Sequence, residues 1–111
     1  MPRDYKVYLE DILQAITKIR EYTAGLSPAA FQGDAKTLDA VVRNLEVVGE
    51  AAKAVPENVR LQHPEVEGTK LVGLRNVLIH QYFGVDAELI CDIVQNKLPA
   101  FEAQIRAIMS T

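Results

Sequence analysis

The chain has 111 residues, of which 49% are hydrophobic and 24% charged, with a formal net charge of −3. That composition describes one globular domain, residues 1–111, with an ordinary core, and excludes disordered and fibrous classes. The acidic balance excludes a protein that coats nucleic acid, no apolar run is long enough to span a bilayer, and the lone Cys91 cannot form an internal disulfide.

The elements read as helices throughout, with no strand pattern. Tyr5, Tyr8, Ile12, Ala15, Ile19 and Tyr22 recur at alternating three- and four-residue spacing and predict one apolar stripe on a long first helix, with Gly25 as its C-terminal cap. Ser27 followed by Pro28 predicts an N-cap and a proline in the first turn of a short helix ending near Gly33. Asp34 caps a second long helix whose stripe is Leu38, Val41, Val42, Leu45, Val48, Ala52 and Val55, and Pro56 ends it. Residues 56–66 form a connector with about one helical turn. A third long helix runs from Gly68 to Phe83 with Leu71, Leu74 and Leu78 on its core face, and Gly84 stops it. Asp86 caps a last stretch containing Leu89, Ile90, Ile93, Leu98, Phe101, Ile105 and Ile108, which Pro99 kinks or splits. Long helices with short connections imply an all-α, up-and-down bundle.

The third helix carries the chemistry. Its run Leu74-Arg75-Asn76-Val77-Leu78-Ile79-His80-Gln81-Tyr82 puts a guanidinium, an amide, an imidazole and a phenol into an otherwise apolar segment. Burying such groups costs free energy unless each finds a partner. Together they supply a fixed cation for a phosphate, a donor and acceptor for positioning, and a proton carrier active near neutral pH.

At about 100° per residue, Arg75 and His80 point about 140° apart, whereas Asn76 shares a face with His80, and Arg75 with Tyr82. One straight helix cannot aim Arg75 and His80 at a single atom. Three routes reconcile them: the reach of arginine, an opening of the last turn at Gly84, or a second copy of the helix across a two-fold axis. We favour the third, a cleft lined by Arg75 and His80 of two subunits. The helix C-terminal dipole favours a charged His80, and a nearby Arg75 opposes it.

That set suits RNA cleavage by the 2′-hydroxyl. His80 acts as general base or acid, Arg75 holds the phosphate and stabilises charge on its oxygens, and Asn76 orients either. No metal or other cofactor is expected, because His63 stands apart in the proline-flanked connector and no Cys/His spacing suits a metal. RNA contact is local rather than extensive, and neither DNA nor a membrane is an expected partner. The start Met1-Pro2-Arg3-Asp4 leads directly into an amphipathic pattern, so the expectation is a cytoplasmic protein without a signal peptide.

The pattern R-N-x-x-x-H-x-Y in a small helical chain resembles the HEPN superfamily, specifically its HepT-like (DUF86) branch. Arg43-Asn44-Leu45-Glu46-Val47-Val48-Gly49-Glu50-Ala51-Ala52-Lys53 is similar to that branch's second block, and Tyr82-Phe83-Gly84-Val85-Asp86 to the usual continuation of the motif. The three blocks stand in order and cover nearly the whole chain. One departure is the Gly68-Thr69-Lys70 segment, where the branch has a tryptophan; it bears on helix entry or a partner surface more than on the chemistry. The resemblance implies a HEPN-like homodimer with the motif at its interface, acting as a metal-independent endoribonuclease toxin of a toxin–antitoxin pair. It also implies an MNT-type nucleotidyltransferase antitoxin that transfers AMP from ATP onto Tyr82. Phosphate and adenosine beside Arg75 would fill the pocket with an anion that competes with RNA.

Other residues have competing roles. Glu46 and Glu50 lie four apart, with Arg43 three before Glu46 to offset their repulsion. They are a solvated charged face, or Glu50 orients Arg75 or His80. Gly49 suits close helix packing, Tyr5, Tyr8 and Tyr22 suit core or interface, and Cys91 an inert buried thiol. Two alternatives stand beside the nuclease. One is a non-catalytic dimer that binds a nucleotide or presents a substrate to a nucleotidyltransferase. The other is a purely structural polar lock of Arg75, Asn76 and His80 in a dimer interface.

Overall fold

The computed structural model describes residues 4–63 and 87–110. Every element among them is helical, which establishes the all-α class. In chain order they are α1 (Tyr5–Thr23), α2 (Pro28–Gln32), α3 (Ala35–Ala54), α4 (Glu57–Gln62), α5 (Ala87–Asp92), a π-helical turn (Ile93–Lys97) and α6 (Leu98–Met109). The expected third helix, Gly68–Phe83, and the Asp86 cap lie outside the described residues.

The ends of these helices follow from single residues. Asp4 opens α1 by accepting from the Lys6 N–H at 3.0 Å. Past the last turn of α1, Gly25 takes a φ of +76°, the left-handed conformation that glycine adopts without a Cβ penalty. Ser27 accepts from the Ala30 N–H at 3.1 Å, with Pro28 in the first turn of α2. Asp34 caps α3 through both the Thr37 N–H (3.2 Å) and the Thr37 hydroxyl (2.9 Å). Those two bonds hold the Asp34 carboxyl below its ordinary value, because they favour the charged form. Pro56 follows the Val55 C-cap, as expected.

α1 and α3 pack along their lengths. Tyr8 and Asp11 from the first half of α1 share a surface groove with residues of the second half of α3, so the two helices run antiparallel. Leu9, Ile12, Ile16 and Ile19 from α1 meet Val41, Leu45 and Val48 from α3, all nearly inaccessible to water. α6 adds Leu98, Phe101, Ile105 and Ile108, and Phe31 of α2 closes the core beside α5. The first stripe differs from expectation in detail. Leu9 and Ile16 are core residues that a narrow three-and-four reading passes over, because the buried face is broader than one row of side chains. Tyr22 sits in the final turn of α1, beyond the packed face, and is exposed. Leu89, in the first turn of α5, is likewise exposed, whereas Ile90 and Cys91 are buried.

The C-terminal stretch is split, as Pro99 requires. Proline has no N–H, and its ring collides with the carbonyl four residues back, here Gln95. A wider turn relieves that collision: the Leu98 N–H bonds to the Ile93 carbonyl, five residues back. The buried residues record the same adjustment, since Ile93 and Leu98 are five apart yet both face the core. In an uninterrupted α-helix they would diverge by about 140°.

Candidate functional site

Arg75, Asn76, His80 and Tyr82 all lie outside the described residues, which stop at His63 and resume at Ala87. The two supporting residues, Arg43 and Glu50, lie on α3. Seven residues apart, they fall within about 20° of one another around the helix, and both line one groove of about 380 Å³. Val47, Ala51 and Ala54 form its apolar part on the same helix, and α1 contributes Tyr8 and Asp11.

The groove thus combines one guanidinium, two carboxylates and a phenol around small side chains. Arg43 approaches Glu46 at 3.8 Å, the pairing that the three-residue spacing predicts. With the Arg43 side chain 74% exposed, that contact holds the guanidinium only weakly. Gly49 is buried on the opposite side of α3 from this rim, where its lack of a side chain suits close packing. The two nearest expectations among the tyrosines also hold: Tyr5 and Tyr8 are half-buried against the core.

A second polar cluster has no clear signature in the sequence. Among the described residues, Glu102 of α6 is a buried charged residue in the core region, only 6% exposed. One of its carboxylate oxygens pairs with Nη2 of Arg20 from α1. The other accepts from Nη2 of Arg106, one turn further along α6, at 3.3 Å. The Glu102–Arg106 spacing of four was visible in the sequence, but it reads as an ordinary surface pair. Only the adjacency of Phe101 and Ile105 hints that Glu102 faces inward, and nothing local points to Arg20.

Among the described residues no group of three His, Cys, Asp or Glu side chains is arranged to hold a metal ion. Among them, too, no helix is long and apolar enough to cross a membrane.

Comparison with known proteins assigns the chain. A family model described as ribonuclease HepT-like matches residues 12–108, a span that includes the whole Arg75–Tyr82 motif. A protein of Thermococcus cleftensis named probable ribonuclease HepT is 38% identical over 108 residues, covering 97% of this chain and 98% of its own length. A protein of Methanocaldococcus jannaschii whose name proposes an RNase is 41% identical over 110 residues, covering 98% of this chain and 91% of its own. A third relative, from Caldanaerobacter subterraneus and also named as a proposed RNase, is 37% identical over 102 residues, covering 92% of this chain and 91% of its own. No solved structure matches the chain. With a family model over most of its length and relatives that match it nearly end to end, the chain belongs to the ribonuclease HepT-like family.

Proposed function

We propose that this protein is a metal-independent endoribonuclease, the toxin of a toxin–antitoxin pair, acting as a single 1–111 domain that dimerises through its motif helix. The observation that carries the reading is the R-N-x-x-x-H-x-Y run at Arg75–Tyr82, inside a chain whose family is described as ribonuclease HepT-like.

The chemistry follows from the side chains. His80 removes the proton from an RNA 2′-hydroxyl, whose oxygen attacks the adjacent phosphorus. The P–O5′ bond breaks, and a protonated imidazole returns a proton to the leaving 5′-oxygen. The products are a 2′,3′-cyclic phosphate and a free 5′-hydroxyl. Arg75 offsets the charge that grows on the non-bridging oxygens, and Asn76 fixes the imidazole or the phosphate. Because Arg75 and His80 diverge on one helix, a two-fold pair of helices supplies both to one phosphate. Glu50 and Arg43 support this arrangement from α3, Glu50 by orienting Arg75 or His80.

Regulation follows from Tyr82. An MNT-type nucleotidyltransferase antitoxin presents ATP, the Tyr82 oxygen attacks the α-phosphorus, and pyrophosphate leaves. The resulting AMP ester places an anion on the helical face that Tyr82 shares with Arg75, where it competes with RNA. The substrate is RNA in the cytoplasm.

The test is a set of three purified proteins, wild type, Arg75→Ala and His80→Ala, each assayed on RNA after its fold is checked by circular dichroism. Loss of cleavage in both variants supports the reading; wild-type cleavage by both overturns it. Mass spectrometry of the toxin after incubation with its antitoxin and ATP tests the second part, which predicts one added AMP that Tyr82→Phe abolishes.

A further inference from the structure

The buried Glu102 is poorly explained by stability alone. It occupies a core position between Phe101 and Ile105, and an apolar residue there would avoid the cost of taking a carboxylate out of water. A lock between α1 and α6 would also need only one cation, yet two arginines converge on it. Each spends one Nη2 on a separate oxygen of the same carboxylate, and each side chain remains more than half exposed, 54% for Arg20 and 60% for Arg106. Both guanidiniums are therefore gathered on one carboxylate at the surface, and the cluster carries one net positive charge on a chain whose overall charge is −3. Two guanidiniums pre-positioned by a buried anion suit a tetrahedral phosphate, which accepts from planar donor forks on more than one oxygen. Pre-positioning also lowers the entropy lost when a flexible arginine is immobilised on its ligand.

We propose that Arg20 and Arg106, held by Glu102, clamp one backbone phosphate of the RNA substrate, a contact supplied by α1 and α6 rather than by the motif residues. The proposal rests on the ribonuclease reading. It explains how an acidic protein gains a local grip on RNA without a basic face.

The experiment measures binding of a labelled single-stranded RNA by fluorescence anisotropy across a salt series. The parent is the full-length His80→Ala protein, so that RNA is held and not cut. The variant is Arg20→Gln/Glu102→Gln/Arg106→Gln in that parent, which removes the clamp and leaves no unpaired buried charge. Lys36→Gln in the same parent is the control, because it changes the net charge by the same amount at an exposed site on α3. The clamp predicts that the triple variant binds about tenfold more weakly, with a salt slope shallower by about 0.7, while Lys36→Gln binds as the parent does. A second variant, Arg20→Lys/Arg106→Lys, keeps both charges and removes the forks. It is expected to lose affinity with its salt slope unchanged, and it carries the test if the triple variant melts early. A triple variant that binds like the parent overturns the clamp, and so does an equal loss in Lys36→Gln. A parent that binds no RNA at all overturns the clamp and the ribonuclease reading together.

Discussion

Removing the charge of Glu102 should cost far less than removing its two partners. In Glu102→Gln the arginines lose an anion, but both side chains are already more than half exposed and return to water. The loss is that of two partly solvated ion pairs, about 1 kcal/mol. In Arg20→Met/Arg106→Met the aliphatic stems are kept, but a carboxylate only 6% exposed is left without a cation. Breaking a buried pair in that way costs about 3 kcal/mol. For a domain of this size the two values correspond to melting-temperature losses of about 4 °C and about 12 °C. Urea unfolding at neutral pH, followed by far-ultraviolet circular dichroism, measures the difference directly. Equal losses in the two variants would mean that Glu102 is not desolvated by α1 and α6.

Leu45 sits at the centre of the α1–α3 contact and is 2% exposed, so Leu45→Ala should destabilise the fold by about 3 kcal/mol in the same assay. Ser27→Ala removes the α2 cap and should cost about 1 kcal/mol. Because hydrogen bonds from Thr37 lower the Asp34 carboxyl in the folded state, its contribution is fully present above its ordinary value of 3.8 and is lost as pH falls through the lower folded value. The protection of the Thr37 amide against exchange, relative to an unstructured peptide, should therefore fall in that acid range, and Asp34→Asn should abolish that fall while keeping a cap. If Arg75, Asn76 and His80 are a structural lock rather than a catalytic set, Arg75→Ala should dissociate a dimer; sedimentation of an intact Arg75→Ala dimer that has lost cleavage supports catalysis.

Much of the fold was legible because helix ends are chemical events at single residues. Ser27, Asp34 and Pro56 each act through one or two local hydrogen bonds or one steric clash, so they could be read without knowing what packs nearby. Burial was less legible. The tyrosines of α1 mark one edge of a broad buried face, and a single row of them leaves out Leu9 and Ile16, which lie deeper. The π-helical turn announces itself only through the five-residue gap between Ile93 and Leu98, which looks like an error of periodicity until Pro99 explains it.

The site divides in the same way. Arg43 and Glu50 reach one groove because seven residues make nearly two turns, a local fact. That Tyr8 and Asp11 join them depends on the antiparallel pairing of α1 and α3, which no local pattern encodes. Glu102 shows the limit most clearly: its partner Arg20 comes from the other end of the chain, and a glutamate followed four residues later by an arginine reads as surface.

In the proposed mechanism this chain cuts RNA through His80 without a metal. Purified wild-type protein and His80→Ala, incubated with total RNA in EDTA, test it most directly. Fragments ending in 2′,3′-cyclic phosphates are expected from the wild type alone. Intact RNA from a correctly folded wild-type dimer, or equal cleavage by both proteins, would contradict it.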